Sequence, residues 1–298
     1  MQSLHDVPAP AKLNLFLHVV GRRADGYHLL QTVFRFVDLC DLLHFERTPD
    51  GRVVREGDGL AGLSPDDDLV VRAARALRVA TGARYGVRIR YEKRIPAGGG
   101  LGGGSSDAAS TLVALNRLWG TGLRRAELGR LAVTLGADVP IFVFGQPAFA
   151  QGIGEELTAV TLPDRAYWIV QPRAQVSTRE IFADPDLTRN SESVKIAVFT
   201  DWQKGRSGLF GRNDLEAVVF RRHPAVSRIA RVMREAGLEV RMTGSGGCLF
   251  APFENPADAR LQQDRIISKI SSLPGGAVGG SWICRGLADH PLRGWIVD

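Results

Sequence analysis

Cysteine is scarce in this chain: Cys40, Cys248 and Cys284 are scattered, odd in number and without metal-ligand spacing. That excludes a disulfide framework and a thiolate metal centre, and leaves reduced thiols as the expected state. The six histidines show no paired spacing, so no structural metal site is expected. Long basic runs are missing too, since Arg22-Arg23 and Arg124-Arg125 are isolated pairs. The net charge of +6, from 38 basic and 32 acidic residues, therefore favours anionic substrates mildly and does not require nucleic acid. The opening MQSLHDVPAPAKL has neither a charged n-region nor an apolar h-region, so no secretory signal is expected. The most apolar stretch, 131–150, is broken by Asp138, Pro140, Gln146 and Pro147, which argues against a membrane span. No repeat or low-complexity tract is visible. What remains is a chain of 298 residues, 44% hydrophobic and 23% charged, with the make-up of a cytoplasmic globular protein and length for two domains.

Glycine, by contrast, is plentiful and concentrated. Pro96 to Ser106 reads PAGGGLGGGSS, with six of the seven positions from Gly98 to Gly104 glycine. Such a run lets the backbone bring its N–H groups close to a ligand, and a helix N-terminus beyond it completes an anion site. Tyr85–Ile95 alternates, with Val87, Ile89 and Tyr91 on one side and Arg88, Arg90 and Glu92 on the other, as a half-buried strand does. After the loop, Ala108, Leu112, Leu115 and Trp119 recur at helical spacing and Gly120 marks a stop. Ser105, Ser106 or Asp107 is expected to cap that helix, Asp107 being equally able to approach a phosphate. A flexible linker is the alternative, disfavoured by the ordered flanks. The loop lacks the Gly-Lys-Ser/Thr ending of a Walker A motif. Gly98-x-Gly100-x-x-Gly103 matches the dinucleotide fingerprint only formally, because no second strand with an acidic end follows.

Elsewhere the pattern predicts strands over Ala11–Val20 and Gln31–Glu46, a connection over Asp50–Asp68, and helices at Leu69–Ala80 and up to Gly136. Pro163 and Asp164 punctuate a change of unit before the apolar run Tyr167–Val170. The second half reads as a helix Pro224–Ala236, a strand Leu238–Met242, a glycine turn Gly244–Gly247, a strand Cys248–Ala251, a helix Pro256–Ser272 and a last strand near Ser281–Arg285. Asp184–Ser193 and Gln203–Arg212 read as loops. Domains over 1–162 and 163–298, both α+β, are expected.

These residues carry a resemblance. Pro10–Leu15, PAGGGLGGGSSDAA and Met242–Gly247 appear in the order of the three signatures of the galactokinase, homoserine kinase, mevalonate kinase and phosphomevalonate kinase (GHMP) superfamily. Gly21–His28 (GRRADGYH), Leu135–Pro140 (LGADVP) and the segment around Ile181-Phe182 narrow it: the chain resembles, over nearly its whole length, the 4-diphosphocytidyl-2-C-methyl-D-erythritol kinase family of the non-mevalonate isoprenoid pathway. The resemblance implies an N-terminal ribosomal-protein-S5-domain-2-like unit and a C-terminal ferredoxin-like unit, with the active site in the cleft between them. It implies ATP as cofactor, with Mg2+ held mainly through the phosphates, and a small-molecule partner rather than nucleic acid, membrane or an obligate protein.

It also assigns residues. Pro96, Ala97, Gly98, Gly99, Gly100, Leu101, Gly102, Gly103, Gly104, Ser105 and Ser106 would wrap the ATP phosphates, with Ser106 a candidate for touching metal or phosphate. Asp138 would take the proton from the attacking hydroxyl, with Lys12 beside it holding it ionised. Without the resemblance, Asp138 could simply cap a helix and Lys12 could be an edge-strand gatekeeper. Tyr27 and Phe182 would sandwich cytosine while His28 reads its edge; Asn14 and Thr178 would help place the diphosphate or polyol, and Gly244 would close the site or merely form a hairpin turn. By themselves Tyr27 and His28 read as a turn aromatic and a surface histidine. The segment from Asn190 through Lys195 to Arg212 matches no family pattern. The expected reaction is phosphorylation of the 2-hydroxyl of the cytidyl substrate. The rivals are a sibling kinase acting on homoserine, mevalonate or a sugar, and a nucleotide-binding regulator that has lost catalysis.

Overall fold

Two long strands form the spine of the molecule. In the computed structural model, which describes residues 1–57, 64, 66–205, 208–274 and 278–298, β1 (Ser3–Arg22) and β2 (His28–Thr48) pair antiparallel, with Lys12 opposite Phe36 and Asn14 opposite Phe34. β3 (Val53–Arg55) runs parallel to β4 (Gly86–Glu92), which pairs with the far half of β2. β5 (Ala148–Gln151) pairs with the near half of β2, and β6 (Glu156–Ala159) joins β5. On one face lie α1 (Leu69–Thr81), α2 (Gly103–Trp119), α3 (Arg125–Leu135) and α4 (Val139–Phe144). Their apolar stripes meet Phe36, Leu43, Phe45 and Ile89 in the first core. Ala108, Leu112, Leu115 and Trp119 are all buried there, as their helical spacing requires.

The second unit is built on β7 (Ala166–Pro172), β8 (Arg241–Met242), β9 (Leu249–Phe253) and β10 (Val278–Leu287), in the order β10-β7-β9-β8. The connecting helices are α5 (Thr178–Ala183), α6 (Ile196–Gly205), α7 (Glu216–Arg222), α8 (Pro224–Glu235) and α9 (Pro256–Ser271). β7 explains how the two units join. Trp168 and Val170 face a core shared with α7, α8 and α9, whereas Tyr167 and Ile169 face a separate cluster containing Ala11, Leu13, Val37, Ile95 and Leu101 of the first unit. A strand buried on both faces reads as the unbroken apolar run seen in the sequence. β10 pairs with β7 and also with β2 at Gly286–Val37, so the sheet runs through both units. The mixed α+β build expected from the sequence is the one the chain adopts.

Several local expectations are corrected. The central helix starts at Gly103 rather than near Ala108; its N-cap is Gly102 in the left-handed region, and none of Ser105, Ser106 or Asp107 caps it. Once three glycines of the run sit in or beside the first turn, no side-chain cap is sterically placed to act. The strand expected over Leu238–Met242 pairs only at Arg241 and Met242; the Leu238 N–H instead donates to the Met233 carbonyl at the end of α8. The expected loop Gln203–Arg212 begins as helix, α6 ending at Gly205, while 206–207 lie outside the described residues. α6 covers the second face of the long hairpin: its Phe199 packs among Phe16, Phe149 and Phe210 at ring separations of 6.1, 6.4 and 5.5 Å. Within the expected connection Asp50–Asp68, β3 forms, and 58–63 and 65 lie outside the described residues.

The chain end returns to the first core. Leu292 and Ile296 are buried in it, and His290 is sealed between Phe36 and Phe142 with near-perpendicular rings. The Leu292 N–H donates to His290 Nδ1 at 3.1 Å. Burial, and secondarily Arg125, pushes the His290 imidazole down to about 3. The unfolded chain therefore binds a proton at His290 below about pH 6.5 that the native state does not. Stability from this group is complete above pH 6.5 and declines as pH falls towards 3, by on the order of 4 kcal/mol across the window. His290→Asn keeps an acceptor for Leu292 but cannot take up the proton. In thermal melts from pH 7 to pH 4, the wild-type advantage over this variant is expected to narrow steadily; a constant difference would overturn the assignment.

Candidate active site

Residues two apart on a strand share a face, and on β1 this places Lys12 and Asn14 side by side. Lys12 Nζ donates to Asn14 Oδ1 at 2.6 Å and lies 3.2 Å from Asp138 Oδ2. Lys12 is 2% exposed, so it is no edge gatekeeper; the Asp138 side chain is 38% exposed and open to a substrate. Asp138 does sit at the N-cap position of α4, but its carboxylate makes no capping bond. Asn14 is itself held, its Nδ2 donating to Thr32 Oγ1 at 3.0 Å and its backbone N–H to Thr243 Oγ1 at 3.0 Å. A buried ammonium with two fixed acceptors is locked in place, and the carboxylate it faces points into an open cavity.

The glycine loop forms the opposite wall. It is pinned by buried Ile95 at its start and Leu101 at its middle, and the Leu101 carbonyl accepts from the Lys12 N–H at 2.9 Å. Gly100 and Gly102 take φ of 77° and 74°, a region that favours glycine. Close approach adds a second requirement: a Cβ on Gly100 would lie 2.1 Å from the Thr243 carbonyl oxygen, and one on Gly246 would lie 2.1 Å from Gly100 N. The late glycine turn is therefore both a hairpin turn between β8 and β9 and a backing plate for the early loop, with the Cys248 N–H donating to the Gly99 carbonyl at 3.2 Å. The first turn of α2 leaves its N–H groups at Gly103, Gly104 and Ser105 without helical partners, and Ser106 Oγ is buried with no partner. These donors suit the cradle to an anion, and it faces Lys12 and Asp138 across one cavity.

Asp107 resolves differently from either sequence expectation. It is 3% exposed, and its Oδ2 accepts from Lys93 Nζ at 2.5 Å, which also donates to Asp41 Oδ2. Asp41 Oδ1 accepts from the Arg94 and Ile95 N–H groups. This buried clasp closes the base of the loop between the end of β4 and the start of α2. Burial, and secondarily the Asp41 charge, raises the Asp107 pKa against the pull of Lys93.

Lys12, Asn14, Gly100, Ser105, Asp138, Thr178, Phe182 and Gly244 line one cavity of about 310 Å³. Tyr27 and His28 line an adjoining cavity of about 730 Å³ that shares Leu30, Ala137, Ile153, Thr178 and Phe182 with it. Thr178 Oγ1 meets Ser245 Oγ at 2.6 Å, tying the start of α5 to the late glycine turn within the second unit. Tyr27 is 59% exposed at the rim; His28 packs on Phe182 with centroids 5.0 Å apart. Burial first, then Arg189 and Arg22, lowers the His28 pKa, so the ring is neutral at pH 7. Sequence reasoning missed Thr32, Asp41, Lys93, Arg189 and Thr243. Only Thr243 lay inside a quoted motif; the others reach the site from strand or loop positions with no distinguishing spacing. Among the described residues no group of three or more His, Cys, Asp or Glu side chains is placed to hold a metal.

The sequence matches the GHMP kinases N terminal domain over residues 68–146 and the GHMP kinases C terminal domain over 200–272. It is 60% identical to the 4-diphosphocytidyl-2-C-methyl-D-erythritol kinase of Bordetella parapertussis across 99% of this chain and 100% of that one. It is 53% identical to the enzyme of the same name from Ralstonia pickettii across 99% and 98%. A crystal structure of 4-(cytidine 5'-diphospho)-2C-methyl-D-erythritol kinase, 35% identical, superposes with a TM-score of 0.77 over 94% of this chain and 98% of that one. Homoserine kinase from Cytophaga hutchinsonii, 17% identical, shares the fold with a TM-score of 0.70 over 97% and 96%.

The loop-on-turn contact yields a stability test. Gly100→Ala combines an unfavourable φ with a backbone clash and is expected to cost about 2 kcal/mol or more. Gly104→Ala, whose Cβ would only touch Leu69 Cδ1 at 3.6 Å, is expected to leave the denaturation midpoint within about 0.5 kcal/mol of wild type. Urea titration of both variants decides; equal losses would show that the contact with the second unit is not what constrains Gly100.

Proposed function

The chain belongs to the 4-diphosphocytidyl-2-C-methyl-D-erythritol kinases of the GHMP kinase superfamily, and from that premise we propose how its own residues carry out the reaction. It is an ATP-dependent small-molecule kinase of isoprenoid precursor biosynthesis. The proposed acceptor is the 2-hydroxyl of 4-diphosphocytidyl-2-C-methyl-D-erythritol, giving the 2-phosphate and ADP. The carrying observation is the Lys12–Asp138 pair, 3.2 Å apart, facing the glycine loop across one cavity.

Bound ATP supplies the transferred phosphoryl group, and Mg2+, held mainly through the phosphates, would neutralise the charge that shifts between them. Residues 96–106 hold the phosphate chain through backbone N–H groups and the α2 terminus, and the buried Ser106 hydroxyl is free to meet an oxygen of the same group. Asp138 accepts the proton of the attacking hydroxyl. Lys12, anchored by Asn14, keeps the carboxylate oriented and stabilises the oxygen as its proton leaves. In the adjoining cavity Tyr27, His28 and Phe182 would hold the cytosine ring, while Thr178, Asn14 and Gly244 border the passage through which the diphosphate and polyol reach Asp138. Homoserine, mevalonate and sugars have no base to occupy that cavity, which weighs against a sibling specificity.

Within this reading 1–162 is the ATP-binding unit and 163–298 the second unit, which sends its last residues back to the first core. No helix of the described residues is long and apolar enough to cross a membrane. The proposed setting is the cytoplasm, with a small-molecule partner and no nucleic acid, membrane or obligate protein.

ADP release measured with the cytidyl substrate, homoserine, mevalonate and galactose tests the assignment. Turnover is expected with the cytidyl substrate alone. Asp138→Asn is expected to lower kcat by roughly a hundred- to ten-thousand-fold while leaving ATP affinity unchanged. Turnover of another acceptor would sink the cytosine cavity, and an active Asp138→Asn enzyme would remove Asp138 as the base.

A further inference from the structure

Arg189 stands in the loop after α5, outside every motif that carried the functional reading, yet one guanidinium there joins both halves of the larger cavity. Its Nη2 donates to the carbonyls of Phe182 at 3.1 Å and Asp184 at 2.7 Å, and its Nη1 to those of Leu187 at 3.1 Å and Pro185 at 3.4 Å. The remaining donor, Nε, points across to His28 Nε2 at 3.1 Å. A guanidinium has five N–H donors and no acceptor, so His28 Nε2 can only be the unprotonated nitrogen of this bond. In the neutral ring the hydrogen then sits on Nδ1. Nδ1 makes no hydrogen bond to the described residues, and His28 lines the cavity. The lowered His28 pKa, caused first by burial and then by Arg189 and Arg22, agrees with a neutral ring.

We propose that Arg189 is a specificity-determining positioning residue: it holds His28 in the tautomer that offers an Nδ1–H donor to the pyrimidine edge. The inference rests on the cytosine reading of this cavity. At ring position N3 cytosine presents an acceptor and uracil a hydrogen, so a fixed donor favours the first and leaves the second with two opposed hydrogens. The same guanidinium holds the Phe182 backbone, so the stacking ring and the hydrogen-bonding ring are set by one group. A lysine could not do this. It has the charge but lacks the planar fork that reaches four carbonyls and a ring nitrogen together.

Two measurements test it. In the wild-type protein with 15N-labelled histidine, the His28 ring is expected to show Nδ1 protonated and Nε2 unprotonated at pH 7.5; the opposite tautomer overturns the proposal without recourse to any variant. In Arg189→Lys, the KM for the cytidyl substrate is expected to rise about ten-fold or more. The preference for the cytidyl over the uridyl substrate analogue is expected to shrink by a similar factor, with kcat and the KM for ATP near wild type. An unchanged cytidyl-to-uridyl ratio alongside a general loss of activity or stability would make Arg189 a structural brace only. Wild-type turnover of the cytidyl substrate in the same assay separates failure of this proposal from failure of the cytosine reading.

Discussion

The cavity around Lys12 and Asp138 depends on two glycine turns meeting backbone to backbone. The early loop and the late hairpin turn approach so closely that a methyl group on Gly246 would lie 2.2 Å from the Gly99 carbonyl carbon. No side chain fits between them. That contact brings Thr243 to the Asn14 N–H and the Gly100 carbonyl, and Asn14 in turn holds Lys12. The glycine loop is therefore supported from behind by residues more than a hundred positions later, and the ammonium beside Asp138 is placed by the docking of one unit on the other. The cluster of Ala11, Leu13, Leu101, Ile169 and Phe250 supplies the apolar burial that keeps the two units in register.

Cations serve as joints throughout. Lys12 links β1 to the start of α4, Lys93 links the end of β4 to β2 through Asp41 and to α2 through Asp107, and Arg241 donates to the carbonyls of Leu15, Phe210 and Gly211. Each is buried or nearly so, where an unpaired charge would be costly and a paired one is held tightly. The arrangement adds little to stability compared with an apolar substitute. What it contributes is geometry: Lys12 is fixed beside Asp138, Lys93 at the foot of the glycine loop, and Arg241 between β1 and residues 210–211.

Parts of the fold were legible because they are written in local periodicity. The spacing of Ala108, Leu112, Leu115 and Trp119 announced α2, and Val226, Ile229 and Met233 announced α8, since burial of one face leaves the same signature in any context. Boundaries were less legible. The start of α2 was misplaced because glycine gives no propensity signal, although three of them carry the first turn without strain here. β8 shrank to two residues because a strand exists only where a partner pairs with it. α6 was not read from its short apolar opening, Ile196–Phe199, whose Phe199 becomes meaningful only when Phe16 and Phe149 supply a surface to cover.

By itself the sequence determined the chemistry on offer: a glycine run able to cradle phosphate, Lys12 and Asn14 on one face of a strand, an aspartate at Asp138, and aromatic residues at Tyr27 and Phe182. Those are properties of residue type and short spacing, which survive without knowledge of the fold. Only the tertiary structure decided who meets whom. It paired Asp107 with Lys93 rather than with the helix end, placed Thr243 behind Gly100, and carried Arg189 across 161 positions to the His28 ring. Such partnerships depend on which surfaces pack and on how many donors an acceptor can satisfy at once. Neither quantity has a period that a linear chain can display.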